Sequence, residues 1–332
     1  MMLCGSRSWS RCKRREIASG FASSWARHSS SINRLLLLDS SDPLSTPTTA
    51  RLRGILFVAL AAILWSFGGL WIKLISLGSM GTAGGRSLIA AGVIWIAMRG
   101  RRVTLTKNLL LGSIFYAGTV LLFVAATKNT TAANAILLQY TAPAYVALLS
   151  YRMLGESIRR IDWVTIIVVF AGMGLFFFDV LSAEGLVGNL LAVASGVFFA
   201  LCVIYLRRER EGVSIDMVLI GNLITAAIGL PFAVGAPLSS HDLLYLSLLG
   251  VVQLGLGYIC FVRGVREVTA MESALIPVIE PILNPLWVAL FVGELPSVYA
   301  IAGGVVVIAA ITVRGVVGGR KSRSLGVESR ER

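Results

Sequence analysis

The sequence predicts an all-α integral membrane protein with ten transmembrane helices, arranged as two inverted-topology repeats of five helices each. The chain has 332 residues, of which 56% are hydrophobic and only 14% are charged, and its mean hydropathy is +0.80. An ordinary soluble domain contains about a quarter charged residues. Apolar runs of about 20 residues, long enough to cross a bilayer, recur along the chain. One stretch from the middle of the chain also recurs near its end, which indicates the repeat.

Residues 1–53 differ in composition from the rest of the chain, because they are rich in Ser and Arg and poor in acidic residues. We expect a disordered cytoplasmic tail or a start placed too far upstream, since such a segment has little apolar surface to bury. The alternative is an organelle transit peptide, which has the same composition and would place the protein in an organelle membrane.

Ten apolar spans follow this extension. In lipid every backbone polar group must be paired within the protein, so each span is predicted to be a helix or to be buried among helices. The spans lie near residues 54–74, 82–98, 107–126, 131–151, 161–181, 186–206, 215–236, 242–262, 269–291 and 297–317. We assign the first five to one repeat, 54–181, and the last five to a second, 186–317. Residues 318–332 are predicted to form a basic cytoplasmic tail.

The charges of the loops predict the orientation. If the N-terminus is inside, the inner loops contain twelve Lys and Arg residues, against two in the outer loops. The twelve are Arg99, Arg101, Arg102, Lys107, Arg152, Arg159, Arg160, Arg207, Arg208, Arg210, Arg263 and Arg266, and the two are Lys73 and Lys128. We therefore expect a multi-pass protein of the cell (inner or plasma) membrane with both termini in the cytoplasm. The net charge of +13 lies in tails and short loops, which is typical of contact with anionic lipid and not of nucleic-acid binding.

The repeat joins residues 123–156 to residues 261–294, which align without gaps at an offset of 138. Nine of the 34 aligned positions are identical, and they include Pro143 with Pro281, Gly155 with Gly293, and Glu156 with Glu294. An offset of five spans, an odd number, makes the two halves insert in opposite directions. Inverted repeats with proline-interrupted helices at matching positions are typical of secondary transporters.

The pattern of Pro followed by Gly-Glu at the fourth and ninth spans, with an Arg early in the second span ("GGRSLIAAG"), resembles the EamA domain of the drug/metabolite transporter superfamily. The resemblance covers residues 54–317, and the first 53 residues have no counterpart in it. It implies a ten-helix carrier of small organic solutes that works by alternating access. The family carries amino acids, amines, sugars and other metabolites, so the resemblance does not name a substrate.

The stretch "ALIPVIEPILNPLW" (274–287) contains Pro277, Pro281 and Pro285 four residues apart, with Glu280 and Asn284 on one face. Each proline removes a backbone donor and leaves the carbonyl four residues earlier unpaired. A lipid-facing surface cannot carry such groups, but a cavity or a packed partner can. We predict a central solute or proton site at Glu280 and Asn284. The alternative is a protonated Glu280 that bonds a freed carbonyl in a packed helix.

Other polar and aromatic residues extend this predicted site. Gln139 and Tyr140 precede Pro143 at the matching place of the first repeat, where they are expected to bind the solute or to bond across helices. Trp65 and Tyr258 are candidate aromatic residues of the cavity, and the alternative for both is packing or anchoring at the membrane interface.

Arg86 is the only cation well inside a span. We expect it either to reach the head groups along the surface or to face the cavity, near Glu280 or a solute carboxylate. Gly155 with Glu156, and Gly293 with Glu294, end their spans; we predict that they fix turns or hinges and do not bind the solute.

The function predicted from these residues is secondary transport. No nucleophile with its base and no metal-ligand cluster lies within the spans, so neither an enzyme nor a cofactor or metal is expected. The rival classes are an integral membrane enzyme and a non-transporting scaffold. The shortage of cations within spans favours neutral, zwitterionic or cationic solutes over phosphate-sugars and nucleotide-sugars. We expect an exporter of small metabolites such as amino acids or amines, and the alternative among transporters is a sugar or phosphate-sugar carrier. The expected partners are a small-molecule solute, the lipid bilayer and a coupled proton, and no nucleic acid; the sequence does not predict an oligomer.

Overall fold

A computed structural model describes residues 47–98, 103–153, 155, 160–175, 183–208, 214–268 and 276–328. The chain divides into two units, Met1–Ala50 and Arg51–Arg332, and the second contains the helices discussed below. Within the described ranges all regular elements are helical. Glu156 and nearly all of the predicted N-terminal extension lie outside these ranges.

Thirteen α-helices are numbered here in chain order. They are α1 Pro47–Ser66, α2 Gly68–Leu74, α3 Ser79–Met98, α4 Lys107–Asn129, α5 Ala132–Gln139, α6 Ala142–Met153, α7 Arg160–Leu175, α8 Ala183–Arg208, α9 Ser214–Gly229, α10 Ser240–Ser247, α11 Gly257–Gly264, α12 Ile279–Val292 and α13 Val298–Glu328. Two 3₁₀ turns, Leu230–Ala233 and Ile276–Val278, and a π-helical segment, Leu248–Leu256, complete the described elements.

Seven helical stretches of the described chain are long and apolar enough to cross a membrane. They are Thr49–Leu74, Ser79–Met98, Lys107–Asn129, Ala132–Met153, Gly185–Leu206, Ile215–Ala233 and Ser240–Gly264, and they agree within a few residues with predicted spans one to four and six to eight. The ninth and tenth spans appear as shorter apolar helices, Ile276–Val292 and Val298–Arg314. The fifth is described only over α7. The helical, membrane-type fold is thus confirmed, whereas the count of ten is not.

The regular α-helix changes at matching positions of the fourth and ninth spans, which are called helix breaks below. Two turn residues, 140–141, separate α5 from α6, and the 3₁₀ turn passes directly into α12 at residues 278–279. These positions differ by the repeat offset of 138. Pro143 and Pro281 fall in the first turn of the helix after each break, a position that tolerates proline. Pro285 lies in the interior of α12.

Helices of the first half of the chain pack against helices of the second. α4 lies along α8, α9 lies against α3 and α4, and α13 lies against α7. Small residues permit the closest approach: a Cβ added at Gly84 of α3 would lie 2.5 Å from the Leu230 nitrogen at the end of α9. Close backbone contact of this kind is typical of helix packing in membranes, where small residues line the interfaces.

A π-helical segment of nine residues, Leu248–Leu256, lies between α10 and α11. Such wider turns are rare and occur frequently at functional sites. The segment contains Gln253, a buried amide whose Oε1 atom has no hydrogen-bond partner. Tyr258 follows two residues after its end.

Candidate solute-binding site

Tyr140 connects the two helix breaks. It lies directly after α5, and its hydroxyl is 2.9 Å from the carbonyl oxygen of Pro277 and 2.9 Å from Oε2 of Glu280. The Pro277 carbonyl is the one that Pro281 deprives of its helical donor. The partner of this freed carbonyl is therefore the tyrosine, and not Glu280 as the packing alternative proposed.

The hydrogen bonds that Tyr140 can form depend on whether Glu280 is ionised. A tyrosine hydroxyl has one proton, whereas an ionised carboxylate and a carbonyl can only accept. When Glu280 is ionised, the Tyr140 proton serves either the carboxylate or the Pro277 carbonyl. When Glu280 is protonated, it donates to the Tyr140 oxygen, and the tyrosine donates to the carbonyl. Among the described residues no ion pair includes Glu280. The charge of Glu280 is thus coupled to the pairing of the backbone at the second break.

Aromatic rings cluster around Trp65. The Trp65 ring is 5.0 Å from that of Tyr258 and 5.2 Å from that of Phe261. Tyr258 in turn lies edge-on to Tyr116, at 5.7 Å, and interacts electrostatically with Glu280. The Trp65 Nε1 atom is buried without a hydrogen-bond partner. Trp65 and Tyr258 therefore face the interior, as the cavity hypothesis requires.

Arg86 lies inside the bundle. Arg86 is 2% exposed. This burial excludes the alternative in which its side chain reaches the lipid head groups along the protein surface. Its Nε and Nη1 atoms have no hydrogen-bond partner, and the guanidinium interacts electrostatically with Tyr116 and Tyr258. Asn222 lies beside them, because its side-chain nitrogen is 3.1 Å from the Tyr116 hydroxyl.

The two amides predicted for the site have different surroundings. Asn284 is 1% exposed, with neither side-chain polar atom paired, and a Cβ added at Gly69 of α2 would lie 2.2 Å from its Oδ1. Gln139 donates to the Ser195 hydroxyl at 2.7 Å, and that hydroxyl donates to the Thr119 carbonyl at 3.0 Å. Asn284 thus lies between α12 and α2, whereas Gln139 bonds across helices.

The Gly-Glu motif of the second repeat joins three helices. Gly155 and Gly293 have φ of 69° and 78°, left-handed values that favour glycine at a helix end. Glu294 contacts more than its own turn: its Oε2 is 2.7 Å from Lys73 Nζ, and its Oε1 accepts a 2.6 Å hydrogen bond from the Ala132 nitrogen. The carboxylate therefore holds the end of α2 and the start of α5 to the end of α12.

The sequence did not indicate three residues that the structure places beside the predicted ones. They are Tyr116, Ser195 and Asn222. The available signal was a polar side chain inside an apolar span, but many such side chains only bond their own helix, as Thr127 does to the Phe123 carbonyl. Of these three residues, Tyr116 and Asn222 contact each other next to Arg86.

Comparisons with known proteins agree with the helical architecture. The model of the EamA-like transporter family matches twice, at residues 52–178 and 186–314. The pseudopaline exporter of Pseudomonas aeruginosa is 28% identical over 68% of this chain and 82% of its own. An uncharacterized transporter of Archaeoglobus fulgidus is 28% identical over 62% of this chain and 76% of its own. A solved crystal structure, 18% identical, superposes with a TM-score of 0.58 over 80% of this chain and 98% of its own.

The two family matches cover most of the helical chain, and their order repeats the tandem arrangement that Pro143 and Pro281 mark in the sequence. The two relatives described above are both named as transporters. The chain belongs to the EamA-like transporter family.

Proposed function

We propose that this membrane transporter exports small organic solutes, such as amino acids or amines, by alternating access between two inverted five-helix repeats, 54–181 and 186–317. The observation that supports this most directly is the contact of Tyr140 with Glu280, because it joins the repeats at their two helix breaks. The similarity to an exporter supports the direction. Both termini face the cytoplasm of the cell membrane in this proposal.

The proposed mechanism uses Glu280 as the shared site of a proton and the basic group of the solute. A carboxylate inside a membrane protein is costly when it is charged and unpaired. It therefore takes up either a proton or a cationic group, and the two compete for it. Because protonation allows Tyr140 to satisfy the Pro277 carbonyl, the local backbone differs in hydrogen bonding between the two states. The solute and the proton therefore favour different hydrogen-bonding states of the helix break. In this proposal each of them also favours a different conformation of the transporter.

The described spans favour solutes without phosphate. A phosphate-sugar carrier needs several buried cations to match the charge of its substrate, and Arg86 is the only buried Lys or Arg in the described chain. We expect proteoliposomes to exchange amino acids or amines and not sugar phosphates or nucleotide-sugars. A thermal-shift screen on purified protein selects the solutes, since a ligand of the folded state raises its stability. Counterflow of labelled solute is then measured, with protein-free liposomes as the control.

Robust counterflow of a phosphorylated sugar would contradict the proposed solute class. A complete lack of exchange for amino acids, amines and sugars alike would contradict transport of small metabolites as a whole. Neither an integral membrane enzyme nor a scaffold has an observation in its favour among the described residues.

The proposed topology predicts opposite locations for the two Gly-Glu motifs. Cysteines that replace Glu156 and Glu294 one at a time, in a chain without its native cysteines, are expected to react from opposite sides of the membrane. The reason is the odd number of spans between the repeats and the excess of cations in one set of loops. Labelling of whole cells with a membrane-impermeant thiol reagent tests this, with permeabilised cells as the control. Reaction of both cysteines from the same side would exclude the inverted repeat.

A further inference from the structure

We propose that Arg86 forms an anion subsite that binds the carboxylate of the transported solute. The inference rests on the proposed function and narrows it: the solute has a carboxylate as well as a basic group. The first observation is burial. Arg86 is 2% exposed, and an arginine does not lose its charge in proteins. A buried charge is tolerated when it is paired and hydrogen-bonded.

The described residues neither form an ion pair with the Arg86 guanidinium nor satisfy all of its hydrogen-bond donors. Nε and Nη1 of Arg86 have no hydrogen-bond partner, and none of the described ion pairs includes this residue. A guanidinium binds a carboxylate through either of two edges, and each edge contains one of these two nitrogens. An anion from outside the chain supplies the partner that the described residues do not.

A second donor lies beside the guanidinium. Asn222 approaches the Tyr116 hydroxyl with its side-chain nitrogen, which is only a donor, so the tyrosine oxygen must accept. The hydroxyls of Tyr116 and Tyr258 are also hydrogen-bonded to each other, so with Tyr258 as the donor the Tyr116 proton is left for another acceptor. Because Arg86 interacts electrostatically with Tyr116, an anion at the guanidinium is close to this hydroxyl. Asn222 acts as a positioning residue, since the same nitrogen is also held by the Val218 carbonyl at 2.8 Å.

The position of the subsite matches a solute with two charged ends. Tyr258 interacts electrostatically with Arg86 and also with Glu280. A carboxylate on the guanidinium therefore leaves the rest of the solute beside the rings of Tyr258 and Trp65, which lie 5.0 Å apart. Its basic group then extends toward Glu280. Arg86 belongs to the first repeat and Glu280 to the second, so such a solute contacts both halves.

The experiment compares each solute with a partner that lacks the carboxylate. Proteoliposomes with the full chain are tested for counterflow of the twenty common amino acids and of several ω-amino acids, each beside its decarboxylated amine. We expect at least about tenfold faster exchange of the acids, because a site built to bind a charged group rejects analogues without it. Equal or faster exchange of the amines would overturn the anion subsite but leave amine export intact. No exchange in either set would overturn the proposed solute class together with the subsite.

Two variants localise the effect. Tyr116→Phe removes one donor and keeps the ring, and Arg86→Lys keeps the charge without the planar fork. Both are expected to weaken acid exchange by about tenfold with little change for any amine that is carried. Tyr151→Phe, at a residue that is 57% exposed, is the matched control. An acid-to-amine preference unchanged by Tyr116→Phe and Arg86→Lys would overturn the assignment, and the thermal stability of each variant identifies a folding defect.

Chloride is the other anion with the required chemistry. Replacing chloride by sulfate on both sides of the membrane shows whether the subsite binds the solute carboxylate or chloride. Acid exchange that continues without chloride supports the solute carboxylate. Exchange that requires chloride and ignores the carboxylate assigns the subsite to a co-transported ion and overturns the proposal.

Discussion

Replacing Glu280 by Gln is expected to abolish solute transport driven by a pH gradient while exchange of solute for solute stays measurable. The Gln side chain copies the protonated carboxyl, because its amide nitrogen can donate to the Tyr140 oxygen and leave the tyrosine proton for the Pro277 carbonyl. It cannot take up or release a proton. We expect net transport to fall by about tenfold or more, as for removal of a proton-transferring group.

The measurement compares counterflow with net uptake under an imposed pH gradient, for the wild type and the Gln variant in parallel. Tyr140→Phe is the second arm, since it leaves the Pro277 carbonyl unpaired, a loss of about 1–3 kcal/mol of stability for a buried acceptor. Tyr151→Phe serves again as the control, because Tyr151 is 57% exposed and lies ten residues beyond the first helix break. If the Gln variant kept both its net transport and its pH dependence, Glu280 would be a packing residue only.

Replacing Glu294 by Gln is expected to open the end of the bundle that contains Lys73. The carboxylate forms an ion pair with Lys73 at 2.7 Å and accepts from the Ala132 nitrogen at 2.6 Å. Charge-assisted bonds of this kind contribute about 1.5–3 kcal/mol each when partly buried. A cysteine at Ala132, which is 1% exposed, reports opening. We expect it to react with an impermeant thiol reagent about tenfold faster in the Gln variant, which corresponds to about 1.4 kcal/mol.

The matched control is Glu267→Gln. This carboxylate also forms an ion pair, with Arg53, but Arg53 and Lys73 lie at opposite ends of the helical stretch Thr49–Leu74. Labelling at Ala132 is therefore expected to stay unchanged or to slow down in that variant. Equal acceleration in both variants would indicate general loosening of the fold and not opening of one end.

The spans could be predicted from the sequence because hydropathy and length are local properties. The seven long helical stretches agree with predicted spans to within a few residues. The repeat also located both helix breaks, since Pro143 and Pro281 mark them in the sequence. The exact break positions, the 3₁₀ turn Ile276–Val278 and the π-helical segment Leu248–Leu256 depend on neighbouring helices, which a single span does not reveal.

The site was predictable as a list of residues but not as a set of pairs. Tyr140 and Glu280 both followed from their places beside the breaks, yet nothing in the sequence indicated that one hydroxyl would contact both the carboxylate and the freed carbonyl. Gln139 and Tyr140 are adjacent and have different roles, because successive helical residues point in different directions. Tyr116 and Asn222 meet only through the packing of α4 on α9.

If transport proceeds by the proposed alternating access, the ion pairs at the two ends of the bundle bias which end opens. Lys73 with Glu294 closes one end, and Arg53 with Glu267 is formed at the other in the same structure. Opening either end breaks the ion pair at that end and keeps the other pair. The equilibrium between the two open states therefore depends on the difference between the energies of the two pairs, and not on their sum. A difference of about 1.4 kcal/mol favours one opening tenfold, and a solute reverses that bias only by binding the two states with correspondingly different affinity. Because the side chains of both pairs are only about a fifth exposed, salt screens them weakly, and the choice of which end opens is expected to change little with ionic strength.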